Sequence, residues 1–154
     1  MRRLSLLVVL AFAVAVPDAL AMVQIDRGIA GARLGSSRAE VRAALGAPSK
    51  TASGRNDFGP WLRYTYAGGV RVFFQGRSEV TSVETTGLGD RTSKGVGVGS
   101  TEADVVANVP RVQCETFETV RMCHTGDVLP GKRVTDFRIE NGKVARVTVA
   151  IVID

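Results

Sequence analysis

The sequence predicts an α+β fold in which two tandem repeats, each a short helix followed by an antiparallel meander, form one sheet layer with the helices packed on one face. Three observations lead to this class. The segment 31–41 recurs as 95–105, both copies begin with a helix-capping pattern, and β-rich runs follow each copy. The predicted units are 22–93 and 94–154, preceded by a signal peptide at 1–21.

The start of each repeat has the pattern of a helix N-terminus. Ser37-x-x-Glu40 and Thr101-x-x-Asp104 are capping boxes, in which the hydroxyl accepts from a free backbone N–H and the carboxylate suits the positive helix end. Gly46 and Pro48 end the first helix, and Pro110 ends the second. Helices this short need a sheet to pack on.

The β-rich runs supply that sheet. Asn141-Gly142 lies between two of them and is a strong hairpin signal. We expect irregular connections at 49–59 and 126–131, and the predicted strands are 61–66, 70–75, 79–86, 112–117, 120–124, 133–140 and 143–153.

The N-terminal segment has the pattern of a secretory signal peptide. Arg2 and Arg3 precede an apolar run at 4–16, and Ala19-Leu20-Ala21 matches an A-x-A cleavage site. The run is short for a membrane span, although an N-terminal anchor is the open alternative. No Cys follows Ala21 to accept a lipid. We expect a secreted or periplasmic protein that is not a lipoprotein and has no transmembrane segment after cleavage.

Composition argues against several classes of partner. The chain has 154 residues, with 20 Lys+Arg and 15 Asp+Glu, but no mature segment holds more than two adjacent basic residues. Nucleic-acid binding is not expected, because it needs clustered positive charge. One His and two Cys are too few for a multi-ligand metal site, so we expect no metal and no cofactor.

The two cysteines, Cys114 and Cys123, have an interpretation that follows from export. In an oxidising compartment a disulfide hairpin is favoured over a redox pair, because no C-x-x-C motif lowers a thiol pKa. A loop this short contributes ~2–3 kcal/mol on the chain-entropy account.

Two features invite a catalytic or phosphate-binding interpretation. The glycine-rich stretch 94–101 opens a helix, but it matches neither phosphate-binding motif and is better explained as a turn. His124 is the only imidazole, with Glu115 and Asp127 near it in sequence, and no nucleophile motif accompanies it. A small extracytoplasmic hydrolase using His124 and a carboxylate is the alternative function.

An aromatic cluster gives the candidate binding residues. Trp61, Tyr64, Tyr66 and Phe74 are the proposed partner-binding positions, whereas Phe73 is expected in the core because it recurs as Phe137. Core packing is the competing explanation for all of them. If the rings lie on an open sheet face, they supply the side chains that dominate protein interfaces.

The repeated G-x-x-L-G-x-S-x-A-E-V start, followed by a meander, resembles the SmpA/OmlA-like modules of bacterial envelope proteins and the tandem β-lactamase inhibitory protein architecture. The resemblance implies a binding module in the envelope or secreted space, with enzyme inhibition as a special case. It departs from those families in lacking a lipidation Cys and in having shorter repeats than the inhibitor. The residues that carry it are Gly31, Leu34, Gly35, Ser37, Glu40 and Val41, with Gly95, Val98, Gly99, Thr101, Asp104 and Val105.

These observations favour an exported, non-enzymatic protein-binding module. The expected partner is an envelope or secreted protein. A purely structural envelope component is a third and weaker alternative.

Overall fold

The computed structural model describes residues 22–153, so the predicted signal peptide at 1–21 lies outside the described residues. The first half of the described chain contains β1 (Val23–Gln24), β2 (Gly28–Ile29), β3 (Ala32–Arg33), α1 (Arg38–Leu45), β4 (Lys50–Asn56), β5 (Gly59–Thr65), a 3₁₀ turn (Ala67–Gly69), β6 (Arg71–Gln75) and β7 (Ser82–Thr85). The second half contains α2 (Glu102–Asn108), β8 (Gln113–Phe117), β9 (Val120–His124), β10 (Arg133–Glu140) and β11 (Lys143–Ile151).

The strands form two sheets. Strands β1, β2 and β3 make a small antiparallel sheet, and the other eight make a continuous one in the order β4-β5-β6-β7-β11-β10-β9-β8. Every neighbouring pair in the large sheet is antiparallel. Strands β7 and β11 join the two halves of the chain at its centre, where Val83 lies opposite Val149.

The predicted α+β class of two helix-plus-meander repeats is wrong. The protein is mainly β, with 46% of the described residues in strands or isolated β-bridges and 14% in helices. The helices have only eight and seven residues, so they cover part of a sheet rather than forming a layer of their own. The small N-terminal sheet was not predicted, and the segment 49–59, expected to be irregular, contains β4 paired along its length with β5.

Both predicted capping boxes are present. The Ser37 N–H donates to Glu40 Oε2 at 2.7 Å, and the Glu40 N–H donates to Ser37 Oγ at 3.3 Å. At the second helix the Thr101 N–H donates to Asp104 Oδ2 at 2.8 Å, and the Asp104 N–H donates to Thr101 Oγ1 at 3.1 Å. These hydrogen bonds to the ionised form hold the pKa of both carboxyls below its ordinary value.

The hydrophobic core lies on the face of the large sheet that carries the helices and the small sheet. Phe74 and Phe137 from the large sheet meet Val41 of α1, Val105 of α2 and Ile29 of β2, and all five are at most 1% exposed. Burial of apolar side chains of this size contributes roughly 1.5–3 kcal/mol each. Within residues 22–153, no helix has the length and apolar character needed to cross a membrane.

Candidate protein-binding face

The two faces of the large sheet differ sharply along β5 and β6. Alternate side chains point to opposite faces, and the register pairs Leu62 with Phe74 and Arg63 with Phe73. Leu62 and Phe74 are buried under α1 and the small sheet, whereas Arg63 and Phe73 are half-buried on the other side. The second set belongs to what we term the open face: the side chains of the large sheet that point away from the helices.

Three of the four predicted binding residues lie on the covered face instead. Tyr64 is 3% exposed, its ring is 5.0 Å from the Phe74 ring in an edge-to-face contact, and the Arg42 guanidinium of α1 lies 5.2 Å above it. Tyr66 is 8% exposed and Phe74 is fully buried. Tyr64, Tyr66 and Phe74 are therefore core residues, and their assignment as partner-binding residues is corrected.

The prediction that Phe73 is a core residue is wrong for a related reason. The sequence repeat aligns Phe73 with Phe137 and Val83 with Val147. In the structure Phe137 pairs with Val147, but the residue that pairs with Val83 is Val72 and not Phe73. The connection before β7 changes the strand parity by one residue, and a shift of one residue moves a side chain to the other face.

Trp61 is the predicted binding residue that the structure places on the open face. It lies opposite Gly54 of β4, and a Cβ on Gly54 would stand 2.7 Å from Trp61 Cζ2. The indole therefore packs directly on the glycine backbone. This contact holds a large flat ring near one edge of the sheet, half-buried and still accessible.

A row of arginines crosses the middle of the open face, and sequence reasoning missed it. Glu84 of β7 lies between Arg71 of β6 and Arg146 of β11, bonding Arg71 Nε and lying 3.5 Å from Arg146 Nη1. Arg63 lies with its guanidinium 5.7 Å above the Phe73 ring, a cation–π contact. The signal available in the sequence was the alternation of these arginines with apolar residues along each strand.

The far half of the open face carries further apolar groups and one ion pair. Phe117 at the end of β8 is 67% exposed, and Met122 of β9 lies on the same face beside Arg138 of β10. Arg138 Nε lies 2.8 Å from Glu140. The face thus combines exposed rings and a thioether near its ends with guanidinium groups between them.

His124 occupies the last position of β9. It is 7% exposed, its Nε2 lies 3.3 Å from Glu115 Oε1, and its Nδ1 has no hydrogen-bond partner among the described residues. The register places Asp136 across from it. Burial raises the pKa of the Asp136 carboxyl, an effect that His124 partly offsets and that Asp26 reinforces. Asp127, the other carboxylate considered for His124, lines a separate cleft beside α2.

The predicted disulfide is confirmed. Cys114 and Cys123 are directly opposite on β8 and β9, with a Cα–Cα distance of 3.9 Å. Glu102 lies close enough to both sulfurs to resemble a metal-ligand group. Because both sulfurs are bound to each other, neither is a thiolate that can hold a metal ion.

The glycine-rich stretch is a turn leading into α2. Gly95 and Gly99 have φ of 78° and 89°, a conformation that favours glycine. The Ser100 hydroxyl accepts the Gly97 N–H at 3.1 Å, and the capping box occupies the start of the helix. The arrangement matches the turn predicted from the sequence.

Comparison with known proteins shows similarity in fold. No protein-family profile matches the chain, and no curated protein matches its sequence. An extracellular protein containing an SCP domain from Bacillus anthracis superposes with a TM-score of 0.52 and 11% sequence identity. The match covers 77% of this chain and 44% of the Bacillus anthracis chain, so this chain spans less than half the length of that protein. A DUF4309 family protein from Bacillus subtilis has TM-score 0.50 and 17% identity over 85% of this chain and 88% of its own.

Proposed function

We propose that this chain is an exported, non-enzymatic module that binds another envelope or secreted protein through the open face. Export is supported by the signal-like pattern at 1–21 and by the Cys114–Cys123 disulfide, since such bridges persist in oxidising compartments. The similar fold of a protein described as extracellular adds to this support.

The observation that carries the proposal is the composition of the open face. Along β5 and β6 its side chains are only half-buried, and it holds Trp61 and Phe73 beside a row of arginines. Tryptophan and arginine are enriched among the residues that dominate binding energy at protein interfaces. Half-buried rings held by Gly54 and Arg63 bring contact area with little further loss of side-chain entropy.

Charge on this face defines the chemistry of the partner. On the half of the open face formed by β5, β6, β7 and β11, Arg63, Arg71 and Arg146 face outward, and Glu84 is the carboxylate that pairs with two of them. On the other half, Arg138 pairs with Glu140, and Glu115 and Asp136 lie on the same face. The excess of positive charge on the first half favours a partner surface that presents carboxylates around an apolar patch. The resemblance to the β-lactamase inhibitory protein makes a secreted enzyme one class of partner that meets this description.

The geometry around His124 supports a non-enzymatic role. A general base must lie within hydrogen-bond reach of the group it activates. Nε2 of His124 lies against Glu115, and Nδ1 is buried without a partner. The hydroxyls of Thr125 and Thr135 close to this strand end donate to Asp26 instead. Among the described residues, His124 makes no hydrogen bond to a serine, threonine or cysteine side chain.

The test is a matched pair of charge-reversal variants. The purified chain, Arg63→Glu/Arg138→Glu, and the control Lys132→Glu/Arg133→Glu are immobilised and exposed to the extracytoplasmic proteins of the source organism. Both variants make the same change in net charge, but Lys132 and Arg133 are exposed at the start of β10, outside the open face. Retained proteins are identified at low and high salt.

The proposal expects one retained protein that is lost with the open-face variant, kept with the control, and weakened by salt as exposed ion pairs are screened. Recovery of the same proteins by all three chains contradicts it. So does hydrolysis of a peptide or ester substrate by the purified chain that disappears in His124→Ala, which would establish the enzymatic alternative.

A further inference from the structure

A cleft in the described part of the chain lies beside the C-terminal end of α2, away from the arginines of the open face. Its volume is about 570 Å³, within the range of small-molecule sites, which is about 300–1,000 Å³. Ile25, Val109 and Pro110 give it apolar walls. Charged groups of both signs also line it: the carboxylates of Asp26 and Asp127 and the cations of Lys94 and Arg111.

Asp26 is held in place by buried groups. Its Oδ1 accepts hydrogen bonds from Thr125 Oγ1 at 2.5 Å and Thr135 Oγ1 at 2.8 Å, and its N–H donates to Thr135 Oγ1 at 2.7 Å. Thr125 and Thr135 are 3% and 0% exposed. Oδ2 accepts no hydrogen bond from residues 22–153. The bonds to Oδ1 fix the orientation of the carboxylate, and Oδ2 remains available to accept a hydrogen bond from a ligand.

The two cations on the cleft wall are exposed, and neither forms a salt bridge with a described residue. Groups of opposite charge therefore border the same cleft, and its two cations are free to meet a ligand.

We propose that this cleft binds a small zwitterion, either a free amino acid or a short unblocked peptide. Asp26 would receive its ammonium group, Lys94 and Arg111 its carboxylate, and the apolar walls its side chain. The charges of the cleft match both ends of such a molecule, whereas a simple anion or a simple cation would meet a repelling group in the same space. The site is separate from the proposed protein-binding face and does not depend on it.

The test titrates the ¹⁵N-labelled chain with L-alanine, with trialanine, and with N-acetyl-trialanine amide, which has the same backbone and no terminal charges. The variants are Asp26→Asn, which keeps the Oδ1 acceptor and suits the left-handed conformation, and Lys94→Gln, which alters an exposed side chain. Lys132→Gln is the control outside the cleft. Amide shifts report both the site and the affinity.

The expected result is saturable shifts confined to residues that line the cleft, with the blocked peptide and each cleft variant binding about tenfold more weakly. Lys132→Gln binds as the unmodified chain does. A stronger response to L-alanine than to trialanine would assign the site to free amino acids, and the reverse to peptides. Equal binding of the blocked peptide, absence of shifts, or shifts elsewhere would overturn the proposal and leave Asp26 as a tether between the two sheets.

Discussion

The two faces of the large sheet are made from the same strands, yet they differ in burial. On β6, Phe74 is fully buried beneath the helix side while its neighbour Phe73 is half-exposed beside Arg63. One face excludes water and stabilises the fold, and the other leaves rings and guanidinium groups accessible. Two phenylalanines one position apart thus differ in burial because of strand parity alone.

The largest effect expected from this difference concerns the two phenylalanines. Phe74→Ala should lower the free energy of unfolding by about 3–5 kcal/mol, because it leaves a cavity in the core. Phe73→Ala should cost about 1 kcal/mol or less, as expected of a partly exposed position. Urea denaturation of both variants measures the ratio. Equal losses of unfolding free energy in the two variants would show that Phe73 is packed as tightly as Phe74.

The disulfide should have the next largest effect. Replacing Cys114 and Cys123 together with alanine should lower the free energy of unfolding by ~2–3 kcal/mol, since the short loop in the unfolded chain is no longer closed. The unmodified chain in reducing buffer is the matched comparison. An unfolding midpoint that does not move on reduction would mean that the edge strands β8 and β9 are held by packing alone.

The helix caps on the covered side should contribute less to the free energy of unfolding than the core phenylalanine and the disulfide do. Thr101→Ala removes the hydroxyl that accepts the Asp104 N–H and should cost about 1 kcal/mol. Thr119→Ala, at the exposed tip of the β8–β9 hairpin, is the control and should leave thermal unfolding unchanged. If both variants melt alike, the capping box has no measurable part in anchoring α2.

Asp136 should have a small effect of the opposite sign. Burial raises its folded-state pKa above 3.8, the ordinary value expected in the unfolded chain. Ionisation of Asp136 therefore opposes folding once the pH exceeds 3.8. Asp136→Asn should therefore raise the melting temperature at pH 7. Its advantage should shrink as the pH falls through the raised pKa towards 3.8. A variant less stable than the parent at pH 7 would show that the carboxylate has a stabilising partner.

The carboxylates of the capping boxes should show the reverse dependence. Hydrogen bonds from Ser37 and Thr101 lower the pKa of Glu40 and Asp104 in the folded protein. Their stabilising contribution is present above the unfolded-state pKa and is lost as the pH falls through the folded value. NMR titration of both carboxyls checks this, and values at or above the ordinary range would contradict it.

Local patterns in the sequence predicted the local structures well. Capping motifs marked both helix starts, Asn141-Gly142 marked the β10–β11 hairpin, and the spacing of Cys114 and Cys123 matched a cross-strand pair. Each of these depends on residues a few positions apart, so neighbouring side chains and turn geometry are sufficient to specify them.

Candidate binding residues were predicted poorly because they depend on which face the helices cover. Tyr64 and Trp61 carry similar signals in the sequence, and only the position of α1 makes one core and the other accessible. The small sheet was missed because its strands have two residues each, too few for a periodic signal. β4 was missed because its sequence, rich in small and polar residues, lacks the apolar alternation of a half-buried strand.

The sequence by itself determined the helix caps, the main hairpins and the disulfide, since short-range contacts and spacing encode them. Only the tertiary structure decided that the protein is mainly β, that Phe73 and Arg63 share an open face, and that Asp26 borders a cleft with Lys94 and Arg111. These features join residues distant in the chain. Their positions follow from sheet order and register, which a one-residue change in a connection is enough to reverse.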